Sequence, residues 1–145
     1  MKKFKWWGFK KQCNVLPITG GFLEAGMGGT TFHGKNGMKV FFPGIRFSTN
    51  MVAPHAAYQL GGVIYISVSW ARRGFDLKAF AHEYGHFLQQ QEWGILYYLF
   101  KVAIPSVYSA WFFPATHYLK SYEQDATLRG NRWLETYRDQ HTDMG

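Results

Sequence analysis

Two histidines enclose a glutamate in the segment His82-Glu83-Tyr84-Gly85-His86. On a helix, residues i and i+4 lie on one face with Cβ atoms about 6 Å apart, so both imidazoles can reach one metal ion. Zinc accepts nitrogen ligands in tetrahedral geometry. Glu83 projects to one side of the histidine pair, where it can take a proton from a zinc-held water, as the general base of a metalloprotease does. The pattern therefore predicts a Zn²⁺ site with His82 and His86 as metal ligands and Glu83 as the catalytic base.

A hydrolytic zinc site also needs a third protein ligand and one open position. The candidates considered downstream of the motif are His117, Glu123, Asp125 and His141. Glu123 is the preferred third metal ligand, because a carboxylate on a helix packed against the first helix can reach the same ion. The alternative for Glu123 is an ordinary exposed glutamate. His141 lies in a polar tail, where we expect it to be solvated.

Other polar residues near Glu123 are candidates for supporting roles. His117 is an alternative metal ligand, and it could instead stabilise the oxyanion of a tetrahedral intermediate, a catalytic role that is also open to Tyr122. Asp125 could hydrogen-bond a ligand histidine or serve as an alternative ligand. For each of these residues a surface or core-filling role remains the alternative.

The composition limits the kinds of site and protein that are possible. The single cysteine, Cys13, excludes a disulfide within the chain and a cysteine-based zinc cluster. With 47% hydrophobic and 19% aromatic residues, the chain is too apolar for a disordered protein. A length of 145 residues favours one domain, which we place at 17–145 after a basic, aromatic tail at 1–16.

The formal net charge of +7 is concentrated in this tail, because five lysines lie in the first eleven residues and no acid accompanies them. With Trp6 and Trp7, residues 1–11 could rest on an anionic membrane or bind an acidic partner, or they could simply be solvated. The rest of the chain is nearly balanced in charge, so we expect no specific nucleic-acid binding. The tail has no apolar core of a secretory signal, which favours a cytoplasmic or membrane-associated protein.

Residues 95–113 are almost wholly apolar and are long enough to span a bilayer. Lys101 near the middle and Pro105 both argue against a simple span. We therefore expect a buried core helix, with membrane contact as the alternative.

The predicted elements begin with strands. The glycine-dense residues 17–37 favour loops and turns and do not match a phosphate-binding loop. Residues 38–42 and 45–49 flank a Pro-Gly dipeptide and predict a hairpin, and the β-branched residues 62–69 predict a third strand.

Helices follow the strands. Asp76 is a suitable N-cap for a helix over 77–91, which carries the two histidines. A second helix is expected over 95–112 with a bend at Pro105, and a third over 117–138. The fold class is therefore α+β, with a small N-terminal sheet or hairpin followed by the helix of the H-E-x-x-H motif and two further helices.

Further residues extend the motif into a longer signature: Gln89, Gly94, Tyr97-Tyr98, Ile104-Pro105-Ser106 and Glu123-Gln124-Asp125-Ala126. This signature resembles uncharacterised bacterial zincin-like metallopeptidase domains that are common in Bacteroidetes. Some of these domains stand alone, and others form the C-terminal tip of Rhs-type polymorphic toxins. The resemblance covers about residues 80 to 132, and within it only H-E-x-x-H is specific by itself.

The resemblance implies a zincin-like fold of the gluzincin type, in which a downstream glutamate, here Glu123, is the third zinc ligand. Many gluzincins carry an aspartate three or four residues after that glutamate, whereas this chain has Ala126 and Thr127 there. The implied activity is hydrolysis of peptide bonds in a peptide or protein substrate, through a zinc-bound water that Glu83 activates.

Two other interpretations stay open. The chain could be a polymorphic-toxin effector domain with the same chemistry and with an immunity or inhibitor protein as partner. It could instead be a membrane-associated binding protein with a structural or degenerate zinc site, in which residues 1–11 and 95–113 contact the membrane.

Overall fold

The computed structural model describes residues 14–49 and 57–142, and within them the protein is a mixed α+β structure. The described residues form two compact units. The first contains residues 14–49, 57 and 62–77, and the second contains 58–61 and 78–142. The single domain expected at 17–145 stays a prediction, and most of the expected tail lies outside the described residues.

Four antiparallel strands in sequential order make up one sheet of the first unit: β1 (Val15–Ile18), β2 (Gly21–Gly26), β3 (Gly29–Gly34) and β4 (Lys39–Pro43). Alternate residues of these strands are buried, as a sheet with one covered face requires. Leu23 and Phe42 lose all of their exposed surface.

The prediction of loops and turns for residues 17–37 was only partly right, because this stretch also contains the end of β1 and all of β2 and β3. Gly20 and Gly28 lie in the turns with φ of 85° and 81°, a conformation that glycine adopts without strain. Glycine density marked the turns correctly, but it concealed the short strands between them.

The hairpin predicted around Pro43 was wrong. β4 pairs with β3, whereas β5 (Arg46–Ser48) pairs in parallel with β7 (Val63–Ile66). The Pro-Gly dipeptide therefore joins strands of two different sheets. A turn dipeptide sets a local change of direction, but distant residues decide which strands pair.

The strand predicted at 62–69 is shorter than expected. β6 (Ala57–Leu60) precedes it, and after β7 the chain enters helix α1 (Val68–Arg73). Ser67 caps this helix, because its side chain accepts a hydrogen bond from the backbone N–H of Trp70.

The helix expected to carry the motif is confirmed as α2 (Leu77–Trp93). Further helical segments follow it in the chain: α3 (Ile95–Tyr98), α4 (Ile104–Phe112), a short 3₁₀ turn (His117–Leu119) and α5 (Ser121–Thr142). The third predicted helix, 117–138, thus begins later and ends later than expected.

A π-helical segment, Leu99–Ala103, lies between α3 and α4, just before Pro105, and the expected bend itself stays a prediction. Proline lacks an N–H, and its ring crowds the carbonyl four residues earlier, here that of Lys101. The π-helical segment, whose turns are wider than those of an α-helix, includes Lys101, the residue whose carbonyl the proline ring would crowd.

The segment Ile95–Phe112 differs from the buried core helix that we expected, since only 17% of it is buried. It is the one helix of the described residues that is long and apolar enough to cross a membrane, by length and composition alone. The core helix of a soluble protein can have the same length and composition.

Helices α2 and α5 approach each other closely at two glycines. A Cβ added to Gly85 would lie 1.9 Å from the carbonyl oxygen of Ala126, and one added to Gly130 would lie 2.0 Å from that of Ala81. Each helix thus presents two small residues four positions apart at the same crossing. Any larger side chain there would push the helices apart.

We predict that Gly85→Ala lowers the free energy of unfolding by about 1 to 3 kcal/mol, because its methyl group has no room against a backbone carbonyl. Chemical denaturation followed by circular dichroism measures this change. Gly26→Ala is the matched control, since a Cβ there meets nothing within 4 Å. Equal stability of the two variants would show that the helices do not approach so closely.

Candidate metal centre

The predicted metal ligands come together between helices α2 and α5. Glu123 Oε1 lies 2.9 Å from His82 Nε2 and 3.1 Å from His86 Nε2. The ligand atoms of the three residues all lie within 4.8 Å of one another. The group of His82, His86 and Glu123 can therefore hold a metal ion.

The distances fit a small ion. Ligands at about 2.0 Å from a tetrahedral ion lie about 3.3 Å from one another, which is close to the nitrogen–oxygen separations found here. Two imidazole nitrogens and one carboxylate oxygen are also a donor set that zinc accepts.

The site is largely removed from solvent. Glu123 is 1% exposed, His86 is buried, and the side chain of His82 keeps 11% of its exposed area. Burial alone would raise the pKa of Glu123, but the hydrogen bonds with His82 and His86 outweigh it and hold that pKa well below its usual range. The carboxylate is therefore charged and needs a compensating cation or proton.

Opposing effects also act on the pKa of His86. Burial would lower its pKa, but the hydrogen bond and the charge of Glu123, with the charge of Glu83, raise it overall. A proton on Nε2 can thus join this ring to the carboxylate, and a metal ion would replace that proton.

Gln89 fixes the orientation of the His86 ring. The Nε2 of Gln89 donates to the backbone oxygen of Tyr122 at 2.8 Å and to Asp125 Oδ2 at 2.9 Å. Its Oε1 is therefore the acceptor for His86 Nδ1, at 2.8 Å. Because Nδ1 carries the hydrogen, the lone pair of the neutral ring lies at Nε2, on the side of Glu123.

Asp125 supports the candidate metal centre through an intervening residue, Gln89. Its carboxylate accepts hydrogen bonds from Gln89 and from Arg129 Nε, the latter at 2.6 Å. A second nitrogen of Arg129 pairs with Glu92 at 2.7 Å. Asp125 therefore supports His86 through Gln89.

Thr127 takes the position where many gluzincins have an aspartate. His82 Nδ1 lies 2.8 Å from Thr127 Oγ1, so the threonine hydroxyl fixes the ring at the nitrogen that does not contact Glu123. The sequence differs here from the pattern that the resemblance implies, yet His82 still has a hydrogen-bonding partner at its Nδ1.

Glu83 is 8% exposed, and its Oε1 has no hydrogen-bond partner in the described part of the chain. Burial raises the pKa of this carboxyl, while His86 and His82 oppose the rise. A buried carboxylate oxygen without a partner is costly. Such an atom marks a place where a polar ligand such as water would bind.

Ser106, on α4, donates a hydrogen bond to Glu123 Oε2. One oxygen of the carboxylate is thereby held by a hydroxyl, while the other faces the histidines. Sequence reasoning missed this role, although a serine directly after Pro105 in an apolar segment was a visible signal.

His117 lies at the border of the site, with its Nε2 3.6 Å from Glu123 Oε1. Its Nδ1 is 2.6 Å from Ser109 Oγ, and Ser109 Oγ also lies 3.1 Å from the backbone oxygen of Ser106. Burial lowers the pKa of His117, which favours the neutral ring. A neutral imidazole can accept a proton or bind a metal ion at a ring nitrogen. The catalytic role and the ligand role of His117 both stay predictions.

The Tyr122 hydroxyl is hydrogen bonded to Ser109, and burial raises its pKa. Tyr122 thus reaches the site through Ser109, and its predicted catalytic role stays a prediction. His141 is exposed, as expected, with Nδ1 2.8 Å from the backbone oxygen of Tyr137.

We predict that Gln89→Leu weakens zinc binding roughly 10- to 100-fold, because His86 loses the acceptor that orients its ring. Competition with a chromophoric chelator measures the affinity. Gln91→Leu is the matched control, since Gln91 lies on the same helix and is exposed. Unchanged affinity in a folded Gln89→Leu protein would mean that Gln89 does not support the ligand.

Comparison of the chain with protein-family models, with curated proteins and with solved structures found no match. The resemblance to bacterial zincin-like domains therefore depends on the residues quoted for it and stays a prediction.

Proposed function

We propose that this protein is a zincin-like, zinc-dependent metallopeptidase. In this proposal His82, His86 and Glu123 bind zinc, and Glu83 is the general base. The observation that carries it is the buried Glu83 oxygen that has no partner among the described residues and lies on the helix of the two ligand histidines.

The number of ligands supports hydrolysis over a purely structural site. Structural zinc sites have four protein ligands, whereas catalytic sites have three and leave one position open. The candidate group contains three residues. His117 is not part of this group, although its Nε2 lies 3.6 Å from Glu123 Oε1.

A bound zinc ion supplies Lewis-acid chemistry and lowers the pKa of a water molecule. Glu83 accepts the proton of the attacking water at its unpartnered oxygen. The raised pKa of this buried carboxyl makes it a better base and lets it hold the proton until the leaving amine accepts it. Glu123 keeps its charge throughout, because its low pKa prevents it from taking that proton.

The proposed substrate class, a peptide or protein with an accessible peptide bond, is what the H-E-x-x-H motif and the resemblance to zincin-like metallopeptidases imply. The toxin interpretation uses the same residues and adds an immunity or inhibitor protein as partner. It stays a prediction from the resemblance.

The test separates metal binding from proton transfer. We predict that Glu83→Gln keeps about one zinc ion per chain and loses at least about a hundredfold in peptide cleavage, since the amide cannot act as a base. Elemental analysis gives the zinc content, and mass spectrometry of products from denatured casein gives the cleavage rate.

Two further variants complete this experiment. Glu135→Gln, an exposed glutamate of α5, should behave as the wild type. His82→Ala should lose both zinc and cleavage. Cleavage by Glu83→Gln at the wild-type rate would contradict the proposal, as would a wild-type protein that takes up no zinc after reconstitution.

A further inference from the structure

The second unit exposes an unusual amount of apolar surface on one segment. Sixteen large hydrophobic residues are exposed in the described chain, and nine of them lie within residues 95–113. Five of the nine follow one another at intervals of four and form what we call the apolar stripe: Leu96, Phe100, Ile104, Tyr108 and Phe112, each more than half exposed. Contiguous apolar surface of this kind marks an interaction site.

The inward side of the same segment is already occupied. Tyr98, Val102 and Ala103 are buried together, and the Tyr98 hydroxyl donates to the backbone oxygen of Gln59 at 2.7 Å. Ser106 holds the carboxylate of Glu123. The apolar stripe is therefore the outward side of a helical segment whose inward side is fixed to the core and the metal centre.

The charged residues within this part of the chain have one sign. Residues 93–122 contain no aspartate or glutamate, while Lys101 and Lys120 lie among them and are both exposed. An exposed apolar segment that carries cations and no anions is complementary to an anionic lipid surface. The five lysines of the first eleven residues add further positive charge to the chain.

The aromatic residues indicate the depth of contact. Tyr97, Tyr108 and Trp111 are all more than half exposed, and their side chains combine an apolar ring with a polar group. Such side chains concentrate where the hydrocarbon of a bilayer meets the headgroups. A helix that lies along the surface would place them at that level.

We propose that the apolar stripe docks this protein on an anionic bilayer surface, with α3 and α4 lying along the membrane. A membrane-spanning arrangement would cost the buried contacts of Tyr98 and Ser106 and would place Lys101 in the hydrocarbon. Pairing with a second copy would bring the lysines of two chains together in a surface without acids. The proposal does not depend on the peptidase function.

The experiment is co-sedimentation of the full chain with phosphatidylcholine vesicles, with and without phosphatidylglycerol. We expect binding to the anionic vesicles only. Leu96→Ser/Phe100→Ser should weaken it at least about tenfold, because two exposed apolar side chains no longer enter the lipid. Met27→Ser/Leu128→Ser removes two other exposed apolar side chains and should change nothing.

Two controls distinguish the proposed surface contact from a second copy of the chain and from a membrane span. Light scattering reports whether a dimer forms, and high-salt extraction reports whether the protein is peripheral. The proposal is overturned if the full chain binds neither kind of vesicle, or if the Leu96→Ser/Phe100→Ser variant binds as the wild type, since the basic tail would then account for the binding. A dimer that this variant abolishes would assign the stripe to a second copy. Resistance to salt extraction would assign it to a span.

Discussion

The close approach of α2 and α5 is the constraint on which the rest of the second unit depends. Helix axes usually lie 8–10 Å apart, at a distance set by the side chains at the contact. Here Gly85 and Gly130 leave room for the opposite backbone, so the two helices meet at carbonyl oxygens. At this separation the Glu123 carboxylate of α5 lies within hydrogen-bond distance of both histidines of α2.

The short distance has an electrostatic consequence. It places the Glu123 carboxylate where water cannot solvate it, and a buried charge of this kind needs strong partners. His82, His86 and Ser106 provide them, and Gln89 with its neighbours keeps the His86 ring in place. Stability and the proposed metal binding therefore depend on the same contacts, because an ion between the helices would neutralise the charge that their packing buries.

The sequence predicted what depends on local spacing and failed where distant residues decide. The α2 helix follows from periodicity, its two histidines from the H-E-x-x-H spacing, and Glu123 from the need for a third ligand. The strands between the glycine turns pair with their neighbours in sequence and were missed because the glycines concealed their short alternating patterns, whereas the pairing of β5 with β7 joins distant segments. The hydrogen bonds of Gln89 with His86 and of Thr127 with His82 depend on how α2 and α5 are aligned where they cross. The sequence of one helix alone does not determine that alignment. The apolar composition of residues 95–113 predicted the helices there, but it did not predict that they are exposed.

The most direct test of the account is a crystal structure of the zinc-loaded protein with anomalous data at the zinc absorption edge. The account predicts one strong anomalous peak between α2 and α5, bonded to the Nε2 atoms of His82 and His86 and to Glu123, with Glu83 Oε1 facing the remaining position. A peak at a surface histidine such as His33, or helices too far apart for Glu123 to reach the histidines, would contradict it.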